Sequence, residues 1–211
     1  MTKRFLFILL IITATAAAQV NSHDQYSFEG GYGLGISGKP GITQLSHFDV
    51  GFRYMVTENW GLKFDFGSDQ FRTEKEGYDG EIGADYKRIS FQAVNNLGRE
   101  INMRGFSPNL NLLAHAGFGF SWINPVNVSA SDKIDTIGNV IIGITPQYYI
   151  IENVALHADI AYIVNFSQHK DFDGTLHYPQ NGIKSFTGSM ANVSLGLTIY
   201  LGPNGSNADW R

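Results

Sequence analysis

The chain is predicted to fold as an all-β, eight-stranded antiparallel up-and-down transmembrane β-barrel, and three observations carry that expectation. The first is the closing segment, Ala191 to Leu201, where Ala191, Val193, Leu195, Leu197, Ile199 and Leu201 alternate with Asn192, Ser194, Gly196, Thr198 and Tyr200. A period of two marks a strand with one face in an apolar medium. A soluble strand averages about five or six residues, whereas about nine to eleven tilted residues cross a bilayer. The second observation is that the faces opposite the apolar ones carry mid-strand charges, Glu29, Asp49, Arg53, Lys63, Asp65, Arg88 and Asp159, together with His115, His157 and most of the strand glycines. The third is that the strands are joined alternately by short turns and longer loops, the connection pattern of a membrane barrel.

The first strand is predicted over Tyr26 to Ser37, with Tyr26, Phe28, Tyr32, Leu34 and Ile36 opposed to Ser27, Glu29, Gly31, Gly33 and Gly35. A turn-forming loop, 38–46, leads to the second, His47 to Val56, where Phe48, Val50, Phe52, Tyr54 and Val56 oppose Asp49, Gly51, Arg53 and Met55. After the turn Thr57-Glu58-Asn59, the third strand runs from Trp60 to about Phe71, with Trp60, Leu62, Phe64 and Phe66 opposite Gly61, Lys63, Asp65, Gly67 and Asp69. The fourth, Tyr86 to about Asn95, sets Ile89, Phe91 and Ala93 against Arg88, Ser90 and Gln92. The stretch from Asn96 to Pro108 is less regular and suits a short helical turn.

The fifth strand, Leu110 to Trp122, alternates Leu112, Ala114, Ala116, Phe118 and Phe120 with Asn111, Leu113, His115, Gly117, Gly119 and Ser121. The sixth, Gly138 to Ile150, contains Pro146, which a bulge would accommodate. The turn Ile151-Glu152-Asn153 leads to the seventh, Val154 to Phe166, and Ser167 to Thr187 forms the longest loop before the closing strand. Arg53 to Asp65 aligns without gaps to Gln147 to Asp159, with Tyr54 and Tyr148, Glu58 and Glu152, Asn59 and Asn153, and Asp65 and Asp159 coinciding. Two hairpins built alike, four strands apart, imply equivalent places around a ring.

Composition bounds the rest. The 211 residues suit one domain, and 24 glycines with 15 Phe and 10 Tyr favour strands. Residues 1–18 carry Lys3 and Arg4, an apolar run from Phe5 to Ile12, and the Ala16-Ala17-Ala18 cleavage pattern, so they are expected to be a secretory signal peptide; a membrane helix would need about 20 apolar residues. Residues 19–202 are then the barrel, and 203–211 a short periplasmic tail. Without Lys3 and Arg4 the chain has 13 basic against 19 acidic residues, net −6, which excludes nucleic acid as an expected partner. The absence of cysteine rules out a disulfide scaffold, a thiolate metal site and a cysteine nucleophile. No cofactor is expected.

A soluble barrel with an apolar interior is the competing fold. The charged faces decide against it, because one Arg or Lys at mid-bilayer on the lipid side costs about 2–4 kcal/mol, so these residues must point inward. Aromatic residues also gather near strand ends, Tyr26, Tyr54, Trp60, Tyr148 and Tyr200 at the turn side and Phe71, Tyr86, Trp122 and Phe166 at the loop side, as two interfacial girdles would require. With the hairpin centred on Glu58, Arg53 faces Lys63 and Asp65 lies diagonal to Arg53. Glu29, Asp49, Arg53, Lys63, Asp65, Arg88 and Asp159 are therefore expected either to form a salt-bridge network plugging the lumen or simply to solvate a wet interior.

Asn111-Leu-Leu-Ala-His-Ala-Gly-Phe-Gly-Phe120, Leu197-Thr-Ile-Tyr-Leu-Gly202 and Ala208-Asp209-Trp210 give the chain its resemblance to the N-terminal barrel of OmpA-like outer-membrane proteins of the Bacteroidetes type. The resemblance implies residence in the outer membrane of a Gram-negative bacterium, contact with outer-membrane lipid and lipopolysaccharide, and folding by the barrel assembly machinery. Ser194, Gly196, Ile199 and Leu201 look like the signal read by that machinery. In many relatives the segment like Ala208 to Trp210 leads into a peptidoglycan-binding domain; here the sequence ends at Arg211, so no such domain is expected.

The function expected is a non-enzymatic structural, surface-interaction or assembly-subunit role, with other outer-membrane proteins as possible companions. A narrow channel for small solutes is the alternative, and a lipid-modifying enzyme using Ser46, His47 and Asp49, or His169 and Asp171, at the outer rim comes third. Adjacent residues on a strand point to opposite faces, which weighs against a Ser46–His47 pair. Asp171-x-Asp173-Gly174 lacks the remaining ligands of a calcium loop and reads as a turn. Asp135-Thr136-Ile137 resembles a glycosylation tripeptide in an exposed loop.

Overall fold

The computed structural model describes residues 25–128, 133–177 and 184–201; the expected signal peptide, the tail and Ala208 to Trp210 lie outside them. Eight strands, β1 (Gln25–Ser37), β2 (Thr43–Met55), β3 (Trp60–Glu74), β4 (Glu81–Asn95), β5 (Leu110–Val126), β6 (Asp135–Ile151), β7 (Val154–Gln168) and β8 (Phe186–Tyr200), pair antiparallel in chain order. The ring closes where β8 meets β1, from Ser27↔Tyr200 to Ser37↔Met190. Closure leaves no edge with unpaired backbone groups. Glycines on this seam permit the close approach, since a Cβ at Gly33 would strike the Val193 carbonyl and one at Gly196 the Gly30 carbonyl.

The alternation expected of each strand holds across the bilayer-height band. Phe28, Tyr32, Phe64, Phe118, Ile142 and Leu195 point outward and are about half or more exposed, while Glu29, Arg53, Lys63, Asp65, Arg88 and His115 point inward and are buried. The β2–β3 and β6–β7 hairpins share one register, Arg53↔Lys63 and Gln147↔His157 falling at equivalent places. Residues Leu97–Glu100 form a short helix, α1, followed by a 3₁₀ turn at Met103–Gly105 within the stretch expected to be irregular.

Three expectations are corrected. The strands run further toward the loop side than their alternation suggested: β2 begins at Thr43, β3 ends at Glu74, β4 begins at Glu81, and β5 and β6 extend to Val126 and back from Asp135. In these extensions outward positions become polar, as at Gln70, Arg72, Asp85, Lys87 and Asn124, while inward ones become apolar. The pattern inverts because the outer wall there meets water, so the barrel continues as one with an apolar core. Consequently Phe71 and Tyr86, both fully buried, line that core and do not belong to a girdle, and Tyr200 also faces inward, leaving Tyr26 stacked on Tyr54 (4.8 Å) and exposed Trp60 and Tyr148 at the turn rim. Finally, Pro146 needs no bulge: Ile144↔Ile160 and Gln147↔His157 keep the same register on either side of it, and the irregularity falls at Tyr149/Ile151.

Candidate functional site

The lumen is stacked in three layers, and each charged side chain reaches it because its strand parity points it inward. At the turn end, Met55, Val94 and Leu113 pack together, as do Ala155 and Tyr200 with Tyr149. The middle layer is ionic. Glu29 bridges Arg53 (Nε–Oε1 2.6 Å) and Lys63 (Nζ–Oε2 3.0 Å), so one carboxylate separates the two cations that face each other on β2 and β3. Lys63 also approaches Asp65 (3.7 Å) and Asp159 (4.0 Å), and Arg88 donates to Asp65 at 2.7 Å. Arg53 stands over the Tyr200 ring, 5.8 Å from its centroid.

Asp49 enters through His47, whose Nε2 lies 3.3 Å from Asp49 and whose Nδ1 lies 3.0 Å from Asp69. Asn192 donates to Asp69 (2.8 Å), His115 lies 3.2 Å from Asp159, and Thr145 donates to the same carboxylate (2.8 Å). Arg88 also donates to Asn192 (3.4 Å), so all seven sequence-predicted lumen residues fall in one connected set, to which the structure adds His47, Asp69, His115 and Asn192. Strand parity signals that these four face inward; that they touch the network depends on the curl of the barrel. Uncompensated, a buried charge costs several kcal/mol, so this layer is stable only because each charge meets an opposite one. Arg53, Lys63, Asp65 and Arg88 are each at most 4% exposed, while the Asp159 side chain keeps 13% of its surface accessible.

The third layer closes the outer mouth, and its decisive residue was invisible in the alternation. Phe172, in the β7–β8 loop, is fully buried among Phe71 (centroids 5.1 Å, 70°) and Tyr86 (5.9 Å), with Ile123, Ile137 and Ile163 around them. Its amide donates to the Lys39 carbonyl of the β1–β2 loop (3.2 Å). The turn after it is tied down by Lys75, which donates to Asp173 (2.7 Å) and Thr175 (3.2 Å), and Gly174 takes the φ of +81° that the turn requires. Burial would raise the Asp173 carboxyl, but the bonds from Lys75 and Thr175 hold it below its ordinary value; burial lifts Asp171 above its own, against a hydrogen bond with His177 (2.8 Å). Asp171-Phe172-Asp173-Gly174 is accordingly a docked turn, with Gly174 N donating to Asp171 O at 2.9 Å.

The rim residues considered for catalysis are separated. Ser46 points outward and donates to the Gln70 carbonyl (2.7 Å), while His47 and Asp49 point into the lumen. His169 pairs with Asp135 (2.9 Å), not Asp171. Asp135 is buried at the start of β6 and also accepts from the amides of His169 and Lys170, so Asp135-Thr136-Ile137 is strand and not exposed loop. On β8, Ser194 is buried in the lumen wall, Gly196 faces inward against β1, and Ile199 is exposed on the outer side; Leu201, just past the strand, is also exposed.

No family model and no curated protein matches the chain. Solved structures do. Neisserial surface protein A superposes with a TM-score of 0.56 at 11% identity, over 83% of this chain and 95% of that one. The fold is that of an eight-stranded outer-membrane barrel. The Yersinia pestis attachment invasion locus protein Ail, in complex with the heparin analogue sucrose octasulfate, gives 0.52 at 13% identity over 84% and 99%. The N-terminal barrel domain of Pseudomonas aeruginosa OprF gives 0.51 at 15% over 84% and 98%.

Proposed function

We propose that this chain is a non-enzymatic integral barrel of the outer membrane of a Gram-negative bacterium, with a structural, surface-interaction or assembly-subunit role and a plugged lumen. The observation that carries the reading is the pairing of an apolar outer wall with a paired, largely buried ionic middle layer capped by Phe172. Such a wall is stable in lipid, where burying each side chain the size of Phe, Leu or Ile is worth about 1.5–3 kcal/mol, and a lumen filled by paired charges and capped by an aromatic cluster supports the plug. Function then rests on the outer wall and the loops. The wall takes lipid and lipopolysaccharide as its partners, and the loops are available to other outer-membrane proteins. Ail binds a sulfated sugar analogue on a barrel of this fold, which supports surface contact as one role for the loops here. The closing segment, with Ser194, Gly196, Ile199 and Leu201, supplies the signal for the barrel assembly machinery.

Planar-bilayer recording of the purified protein tests the reading. The expected result is a baseline indistinguishable from protein-free lipid; steady ohmic conductance would overturn the plug and raise the narrow channel in its place. Cell fractionation with heat-modifiable migration checks the location, and affinity purification from gently solubilised outer membrane separates a free-standing barrel from an assembly subunit.

A further inference from the structure

The connection between β4 and β5 departs from the others at the turn end of the barrel. Those take four residues, 56–59, and two, 152–153; this one takes fourteen, 96–109. It is also held rigidly. Asn96 is fully buried, donates from its amide to Asn59 O (2.8 Å), and caps α1 by accepting from Arg99 N (3.2 Å). Arg99 bridges to Glu58 (2.5 Å), and Gly98 packs so tightly on Asn111 that a Cβ would collide. Bonds from Ile101 N to Leu97 O (2.9 Å) and from Phe106 N to Met103 O (2.9 Å) fix the middle, and Tyr149 N to Asn109 O (2.8 Å) fixes the far end.

This fixed frame displays what a water-facing connection normally hides. Phe106 is 98% exposed and Ile101 61%, with exposed Arg104 between them in sequence. Both ends of the connection run into the outer wall at the turn-side aromatic rim, where Asn95 pairs with Trp60 and Leu110 with Tyr148. Ile101 and Phe106 are thus bare apolar side chains on an ordered connection whose two ends start from that aromatic rim.

We propose that the β4–β5 connector is an interfacial anchor, with Ile101 and Phe106 entering the acyl boundary of the turn-side leaflet and Arg104 meeting lipid phosphate. The inference rests on the membrane placement proposed above. Apolar residues with a basic neighbour are the composition of interfacial segments, and basic side chains near anionic lipid add attraction while their stems stay apolar. Because the frame is already ordered, insertion costs little conformational entropy.

The chain has no cysteine, so single-site labelling is clean. Phe106→Cys and, as a reference on the outer wall, Phe118→Cys would carry a nitroxide in phospholipid bilayers containing only this protein. Power saturation would compare oxygen, which concentrates in lipid, with a nickel chelate, which stays in water. Both labels are expected to favour oxygen. A Phe118 label that favours nickel would overturn the membrane reading itself. A Phe118 label in lipid with a Phe106 label in water would overturn the anchor alone and point to a soluble partner for these side chains. Ile101→Cys serves as the probe if Phe106→Cys does not fold. Adding Arg104→Gln should shift the Phe106 label toward water in phosphatidylglycerol vesicles but not in vesicles of phosphate-free digalactosyldiacylglycerol; identical readings in both would remove the phosphate contact.

Discussion

Replacing Phe172 with Ala should undock the β7–β8 loop while leaving the barrel intact. The ring is fully buried and packs edge-on to Phe71 and against Tyr86, so truncation removes the contact that seats the turn in the mouth. Truncating a buried Phe to Ala costs about 3–5 kcal/mol in a closed core; at a mouth where water fills the gap, about 3 kcal/mol is the appropriate end of that range. With about 1.4 kcal/mol per tenfold, the population of the open loop rises about 10²-fold. Lys170, 3% exposed and bonded to the Lys133 carbonyl, reports the opening. Trypsin should cut after Lys170 about 10²-fold faster in Phe172→Ala proteoliposomes, because cleavage of a transiently open segment follows its equilibrium population. Phe172→Leu should fall between the two. An unchanged rate at this bond, read by mass spectrometry, would show that the polar ties around Asp135 and Asp173 hold the loop without the ring.

Three more outcomes follow from the same geometry. Glu29→Gln leaves Arg53 and Lys63 facing each other with their shared carboxylate gone; breaking a buried pair costs about 3–5 kcal/mol, and urea unfolding in vesicles should show the lower end because Asp65 and Asp159 remain near Lys63. Adding Arg53→Met should recover part of the loss, and a cost for Glu29→Gln below about 1 kcal/mol would mean the layer is solvated rather than paired. Phe118→Arg, at a 66% exposed outer-wall position, should destabilise the barrel in lipid by about 2–4 kcal/mol, whereas in a soluble barrel it would be harmless. Acidification should weaken the Asp173 tie: Asp173 is held below its ordinary carboxylate value, so its contribution to docking is present above that value and is lost as pH falls through the lowered one. Asp171, raised by burial, works in the opposite sense, its contribution being lost as pH rises through the raised value. Hydrogen exchange over 169–177, corrected for intrinsic rates, should quicken more on acidification in the native chain than in Asp173→Asn, where only the opposing response of Asp171 remains.

The parts of the fold legible in the sequence are those fixed by local geometry. Period-two alternation assigned inner and outer faces for all eight strands, and the Arg53-to-Asp65 and Gln147-to-Asp159 likeness foretold a shared hairpin register. Parity also put Glu29, Arg53, Lys63 and Asp65 inside, because a strand cannot turn one side chain without turning its neighbours. What parity could not supply was height. Phe71 and Tyr86 read as girdle residues because they are aromatic and near strand ends, yet they line the interior; the level at which lipid gives way to water is set by the whole ring.

By itself, then, the sequence determined strand number, face and sign of charge, since each follows from neighbours along the chain. Tertiary structure alone decided the rest. Only closure of β8 on β1 brings Asn192 to Asp69, only the curl of the ring brings Asp159 to Lys63, and only the return of the β7–β8 loop drops Phe172 between Phe71 and Tyr86. Those contacts join residues far apart in the chain, and no local period records which of them the ring will bring within reach.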